Sequence, residues 1–295
     1  DINKFNTIED GKSAVKSCSE APNQCNYLDP IYHICRDRKF TVGVECFRKC
    51  NIPANGTAYI SQDCMLDTEI VVQGILHVIG IPDANGRLPV ISGNGTNRLF
   101  IVKNNNNELM VKLLNLTGGN SDSYTAEKDG GAILVYTAKF TAIDCIISRN
   151  KGSVGGAIRG MAGSTVRLNR TVISHNEAQH CGGVSMIHSN SILIVHGGSF
   201  NNNKVDSDGG AICCNGAYCE LNDCPILDNL GKKGGGIYAL ESGFTLILNN
   251  CSVANNEVSY NPGEGGGINL NGNGQLSLHS TTIQNNKAYK GGGLY

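Results

Sequence analysis

The side chains able to carry acid–base chemistry in this chain are few and thinly spread. Asp129 and Asp208 each stand directly before a pair of glycines, Asp206 lies two residues upstream of Asp208, and His180 and His188 flank a third glycine pair. A glycoside hydrolase needs two carboxylates facing one bond, one as acid and one as base or nucleophile. A lyase or epimerase needs a carboxylate-held cation or an arginine against a uronate, plus a base. Polar groups here are distributed singly, so the chain shows no cluster of the kind a catalytic cleft concentrates. Six tyrosines, Tyr124, Tyr136, Tyr218, Tyr238, Tyr260 and Tyr289, offer stacking faces for a sugar but no continuous platform.

Cysteine carries the other chemistry. Of 13 cysteines, Cys18, Cys25, Cys35, Cys46, Cys50 and Cys64 fall in a poorly patterned N-terminal stretch that reads as a disulfide-stapled cap. Cys46 and Cys50 have a spacing used by zinc, but neither a Cys-x-x-Cys pair nor a histidine follows at a suitable interval. Cys213, Cys214 and Cys219 flank a short loop and are the better disulfide candidates downstream. The odd total leaves at least one cysteine free or bonded elsewhere. Asn55-Gly-Thr, Asn94-Gly-Thr, Asn115-Leu-Thr, Asn169-Arg-Thr and Asn250-Cys-Ser fit the N-glycosylation pattern. Asn55, Asn94 and Asn169 are the preferred acceptors, the first two in turn-like surroundings and the third beside an inward position. Cysteine usage and sequons together point to an oxidising, extracellular setting.

The elements that position these groups are repeats. Gly130-Gly-Ala-Ile133, Gly155-Gly-Ala-Ile158, Gly209-Gly-Ala-Ile212, Gly234-Gly-Gly-Ile237, Gly265-Gly-Gly-Ile268 and Gly291-Gly-Gly-Leu294 share one pattern, with Gly182-Gly-Val-Ser185 as a degenerate copy. Their spacing of 25 to 31 residues is a period of stacked units. A second register runs through Asn150, Asn176, Asn203, Asn229, Asn256 and Asn286. Three residues before each stands Ile147, Ile173, Phe200, Ile226, Val253 or Ile283. Further apolar columns lie eight and ten residues before, as in Leu168 and Val166, and the step of two between them is strand periodicity. A fourth column runs from Ile133 to Leu294.

Each repeat therefore reads as three short strands with turns, too short for a crossover helix. Strands recurring with the same inward columns must pair in parallel with their copies one coil on, about 4.8 Å away. The fold class expected is all-β: a right-handed parallel β-helix, a solenoid, with a disulfide-rich N-terminal cap. The cap is placed at residues 1–65 and the helix at 66–295, regular from about 130. The asparagine column is expected to form an inward ladder of amides. Cys145, Cys224 and Cys251 share a column, where either a disulfide between adjacent coils or buried thiols would fit. On this stacking Asp129 and Asp208 stand three coils apart, about 14 Å. The insert Glu257-Val-Ser-Tyr-Asn-Pro-Gly-Glu264 should form an outward loop, with Tyr260 and Glu264 as its contact residues. The strand edge left at Tyr295 reads as a docking surface or as a sign of more chain.

The pattern resembles the repeats of the chlamydial polymorphic outer membrane proteins, with their Gly-Gly-Ala-Ile and Phe-x-x-Asn signatures. Gly130–Ile133, Gly155–Ile158 and Gly209–Ile212 match the first, and Phe200-Asn-Asn-Asn203 matches the second in full. Similar repeats occur in large surface proteins of algae and protists, and the sequons favour such a eukaryotic source. The resemblance implies architecture and a surface or adhesive role, without enzymatic residues. Pectin-lyase-like folds also include polysaccharide lyases, hydrolases and epimerases, which makes an enzyme the rival expectation and a carbohydrate-binding module a third. His196-Gly-Gly198 lacks the preceding glycine of the polygalacturonase signature, and no Asp-Asp pair accompanies it.

The expectation is thus an extracellular or cell-surface structural or adhesive protein, part of a larger chain or filament, for example a ciliary one. Its partners would be other copies, other structural proteins or glycans. With a net charge of -1 it has no footprint for nucleic acid. No apolar run is long enough to span a membrane, and no residue set calls for a cofactor or metal.

Overall fold

The computed structural model describes residues 48–122, 128–259 and 261–295 in full, with the backbone of strands Lys16–Ser17, Ile34–Cys35 and Val44–Lys49. It is a parallel β-solenoid without helix among the described residues. One face stacks eight strands, from Ile70–Val72 through Ile133–Tyr136 and Ile212–Asn215 to Ile268–Asn271. A shorter face stacks five: Lys151–Val154, Glu177–His180, Lys204–Val205, Leu230–Gly231 and Glu257–Val258. The third, broad face carries two segments per coil, such as Lys139–Ile143 and Ile146–Ser148, which merge in Thr165–Ser174 and Ile192–Asn201. Coils thus hold up to four strand segments where the sequence pattern suggested three. All pairing between these coils is parallel, for example Val166 with Leu193 and Ile173 with Phe200.

Coil stacking takes in residues on both sides of the 65/66 division. Gly56–Ile60 pairs in parallel with Ile75–Gly80, and Cys64–Met65 with Ile91–Ser92. Cys50 is bonded to Cys64, which removes Cys50 from any zinc set. Cys18 and Cys25, and the side chains of Cys35 and Cys46, lie outside the described residues.

The four apolar columns point inward and are fully buried through most of the stack, Phe140, Leu168, Ile173 and Ile212 among them. A fifth column went unread in the sequence: Val135, Gly160, Met186, Cys214, Ala239 and Leu270 follow one another in register. Its sizes are complementary, since a Cβ on Gly160 would lie 2.6 Å from the Met186 sulfur. Such a ribbon of apolar side chains supplies the hydrophobic driving force coil by coil, each coil covering the next.

The corners explain the recurrent residues. The first glycine of each pair is left-handed, as at Gly155 (φ 71°), where a Cβ would also meet the Ile158 carbonyl at 2.3 Å. One corner departs from glycine. Val184 pairs with Ile158, so the copy in register is Cys181-Gly182-Gly183-Val184, one residue earlier than the degenerate copy read from the sequence. Cys181 takes the left-handed position at φ 59° and is bonded to Cys213 in the next coil. A left-handed non-glycine residue costs about 1–2 kcal/mol, and the crosslink holds it there. Removing the bond by C181A/C213A should cost about 3–4 kcal/mol for a closure of this length. The pair C181G/C213A should recover about 1 kcal/mol of that by relieving the backbone. Equal thermal stabilities of the two double variants would contradict this account.

Candidate functional site

Six successive coils turn from the broad face to the short face through a left-handed residue followed by asparagine; the coil before them uses Gly118 (φ 62°) and Gly119. The left-handed residues are Arg149, His175, Asn202, Asp228, Asn255 and Asn285, with φ between 54° and 56°. The asparagines behind them form one continuous amide chain. Nδ2 donates to the Oδ1 of the next coil's asparagine at 3.0 Å from Asn150 to Asn176 and 3.0 Å from Asn176 to Asn203. The chain continues at 3.1 Å to Asn229, 2.9 Å to Asn256 and 2.9 Å to Asn286. The second amide proton goes to a carbonyl of the preceding coil, as from Asn203 to Ile173 at 3.0 Å. Each Oδ1 also accepts the backbone N–H of the preceding ladder asparagine, as Asn203 Oδ1 does from Asn176. Both donors and both lone pairs of each internal amide are therefore used, which a buried asparagine requires. Asn176, Asn203 and Asn256 are fully buried, so the ladder presents nothing to a ligand.

The cysteine column has a related task. Cys145 Sγ donates to the Ile143 carbonyl at 3.2 Å, Thr171 Oγ1 to Asn169 at 3.1 Å, Cys251 Sγ to Asn249 at 3.4 Å and Thr281 Oγ1 to His279 at 3.1 Å. Thiol and hydroxyl are interchangeable there as donors to the carbonyl two residues back. Each spans a left-handed residue at the kink of the broad face, such as Asp144 or Asn250. Burial pushes the Cys145 thiol up to about 11 and raises Cys224 and Cys251 as well, so the three stay protonated donors. All three are free, which settles the open choice at Cys224 and Cys251 in favour of thiols. Cys214 and Cys219 are bonded across their loop, whereas Cys213 goes to Cys181.

The residues proposed for acid–base chemistry do not converge. Asp129 pairs with Val154 and Val154 with His180, while the Asp208 carbonyl accepts from Cys181 N, which sets Asp129 three coils from Asp208. His180 and Asp208 are in adjacent coils. His188 lies beyond the far end of strand Val184–Ile187, its Nδ1 accepting from Ala162 N at 3.1 Å. Among the described residues, the carboxylates with displaced titration are Asp83, Asp144 and Glu220, all lowered. Backbone N–H groups of Arg87 and Asn85 do this at Asp83, the Arg170 guanidinium at 2.7 and 2.8 Å does it at Asp144, and the Tyr218 hydroxyl does it at Glu220. Each is stabilised as a carboxylate, the opposite of the raised acid a glycosidase employs. No group of three metal-ligating side chains occurs among the described residues.

The tyrosines are divided as well. Tyr136 and Tyr289 are exposed, Tyr218 is half-buried and Tyr238 is buried; Tyr124 and Tyr260 lie outside the described residues. Asn55 and Thr57 are exposed, and Asn94 is half-buried with Thr96 exposed. Asn169 is half-buried within a strand and Thr171 is fully buried.

What the surface does offer is ordered charge on the short face. After the ladder asparagines come Lys151, Glu177, Lys204, Leu230, Glu257 and Lys287, in register from coil to coil. Before the glycine pairs, Asp208 pairs with Lys233, Lys233 with Glu264 and Glu264 with Lys290. Lys287 lies 3.9 Å from Glu257 and Lys290 3.6 Å from Glu264. A recess of about 100 Å³ on this face is lined by Asp122, Lys151, Glu177, Gln179, Lys204 and Asp206. In the insert, Glu257–Val258 continues the face as a strand, and beyond it Ser259, Asn261 and Pro262 are exposed while Gly263 is buried and Glu264 half-buried. Among the described residues, Ser259, Asn261 and Pro262 fit the outward loop expected for the whole segment.

These features define the class, an all-β parallel solenoid built from glycine corners and an asparagine ladder. The Chlamydia polymorphic membrane protein repeat matches residues 197–215, the stretch holding Phe200-Asn-Asn-Asn203 and Gly209-Gly-Ala-Ile212. It covers less than one coil, and it associates this repeat with proteins of the surface or outer-membrane type. No curated protein and no solved structure matches the chain.

Proposed function

We propose that the chain is an extracellular or cell-surface structural or adhesive segment, working as a stiff rod within a larger protein or a filament. The observation that carries this reading is the division of labour within each coil. Every recurrent residue, glycine corner and ladder asparagine alike, serves stacking, while the outward positions are free to vary from coil to coil. That is the economy of a scaffold, whose length and surface matter more than any one site. Its disulfides Cys50–Cys64, Cys181–Cys213 and Cys214–Cys219 suit oxidising surroundings. N-glycans at Asn55, Asn94 and Asn169 belong to the same reading, as do other surface proteins or a ciliary filament as neighbours. Antibodies against residues 48–295 should label intact, unpermeabilised cells, and trypsin added outside should remove the signal. Labelling only after permeabilisation would refute the proposal. Treatment of the native protein with a peptide-N-glycanase, an amidase that hydrolyses the glycan-bearing amide and releases the glycosylamine, should leave aspartate at the three acceptor positions, read by mass spectrometry.

A further inference from the structure

The short face is banded in charge over its last four coils, beyond the Lys151 and Glu177 coils. Along the axis, the turns between ladder asparagine and glycine pair carry Asp206 and Asp208 with Lys204, then Lys232 and Lys233, then Glu257 and Glu264, then Lys287 and Lys290. Their register makes these bands successive, so net acidic, basic, acidic and basic coils follow at about 4.8 Å. Within one chain, opposite charges adjacent across strands fix the order of coils, each contributing up to about 1 kcal/mol.

The same bands have a property under rotation. Read in reverse, the series exchanges acidic for basic at every coil. A twofold axis across the rod, between the Lys232/Lys233 coil and the Glu257/Glu264 coil, lays a net acidic band against a net basic one in all four places. In the column before the glycines Asp208 meets Lys290 and Lys233 meets Glu264, while in the column after the ladder Lys204 meets Lys287. Sliding the copies by one coil puts like on like, so a single register is favoured.

Two further observations single out this face. The sequon asparagines lie before, in or at the kink of the broad face, at Asn55, Asn115, Asn169 and Asn250, or at the corner leading from it, at Asn94. None falls in the five short-face strands. The connection from Asn256 to Gly265 is the longest of those that leave a ladder asparagine and stands beside the short one from Asn229 to Gly234. The same twofold axis seats the exposed Asn261–Pro262 tip of each copy against the short turn of the other.

We infer that the short face is a self-association surface, on which a second copy of this chain docks antiparallel, with the net acidic Asp206/Asp208 band of one copy against the Lys287/Lys290 band of the other and Asp208 opposite Lys290. This gives the assembly reading above a definite partner, and it rests on that reading. Four coils of one face bury less than a standard interface, below about 1,200 Å². The pairing is therefore weak in dilute solution, salt-sensitive, and populated where many copies are held together.

Sedimentation of the purified chain at low salt should show a monomer–dimer equilibrium that raised salt dissolves. K287E/K290E alone, and D206K/D208K alone, should each weaken it by about tenfold or more. The fourfold variant joining both sets should restore it to within about threefold. Strain between neighbouring coils of one chain persists in the fourfold variant, so recovery isolates the contact between copies. A chain that stays monomeric at low salt, a dimer indifferent to salt and charge, or a fourfold variant no better than either parent would each overturn the inference. Any of these would leave cell-surface labelling unchanged, which separates this failure from failure of the surface reading.

Discussion

Asn203→Leu is expected to destabilise the solenoid by on the order of 5 kcal/mol, although leucine is apolar and of similar size. The change strands the backbone N–H and one side-chain N–H of Asn176 and the Ile173 carbonyl, all now satisfied by Asn203. A buried polar group left without its partner costs about 1–3 kcal/mol, and no water reaches a residue with no exposed surface. Asn203→Asp makes the test sharper, being isosteric. Its Oδ1 accepts as before, but its second oxygen faces the Asn229 Oδ1 and the Ile173 carbonyl where Nδ2 now donates. A carboxylate among acceptors is held protonated, so its folded pKa rises above the unfolded value. Stability from such a group is complete below the unfolded carboxylate range and is lost as pH rises through the raised folded value. The N203D chain should therefore melt higher at pH 5 than at pH 7, relative to wild type. Hydrogen exchange should place the loss in the coils of Asn176, Asn203 and Asn229, because repeats unfold locally. A pH-independent difference between N203D and wild type would sink the ladder account.

That ladder was legible in the sequence because two periodic signals coincide, a polar residue at fixed spacing and an apolar one three residues before it. The parallel solenoid followed from the same columns. What stayed hidden has physical causes. Cys181 occupies a glycine position, so the copy nearest in composition, Gly182-Gly183, was read one residue out of register; only the pairing of Val184 with Ile158 shows it. The left-handed residue before each ladder asparagine is Arg149, His175 or Asp228 as readily as asparagine. Coil closure, and not local propensity, imposes the conformation there. The charge bands were unreadable for a third reason. Asp208, Lys233, Glu264 and Lys290 each stand directly before a glycine pair, but the turn from Asn203 to Gly209 is one residue longer than its neighbours and that from Asn256 to Gly265 four longer, so counted from the ladder asparagines they fall out of column. In space the extra residues are looped out, and the four side chains return to one column.

The glycine pairs combine two requirements, and a short substitution series separates them. Gly243 is left-handed (φ 87°) in open space, with nothing within 4 Å of a new Cβ. Gly243→Ala should cost only the backbone term, about 1–2 kcal/mol. Gly210, by contrast, is not left-handed, yet its Cβ would stand 1.5 Å from the carbonyl oxygen of Gly235 and 2.3 Å from its carbon. The obstacle is backbone of the next coil, which cannot turn aside as a side chain would. Relief needs the two coils to part at the corner, and that breaks the bonds from Ala211 N and Ile212 N to the Gly236 carbonyl. Gly210→Ala should therefore cost more than about 4 kcal/mol, through overpacking joined to lost backbone pairing. Thermal unfolding would show G243A near wild type and G210A melting far below it or failing to fold. A G210A protein as stable as G243A would mean that the corners yield independently, and close approach of successive turns would no longer explain why glycine recurs there.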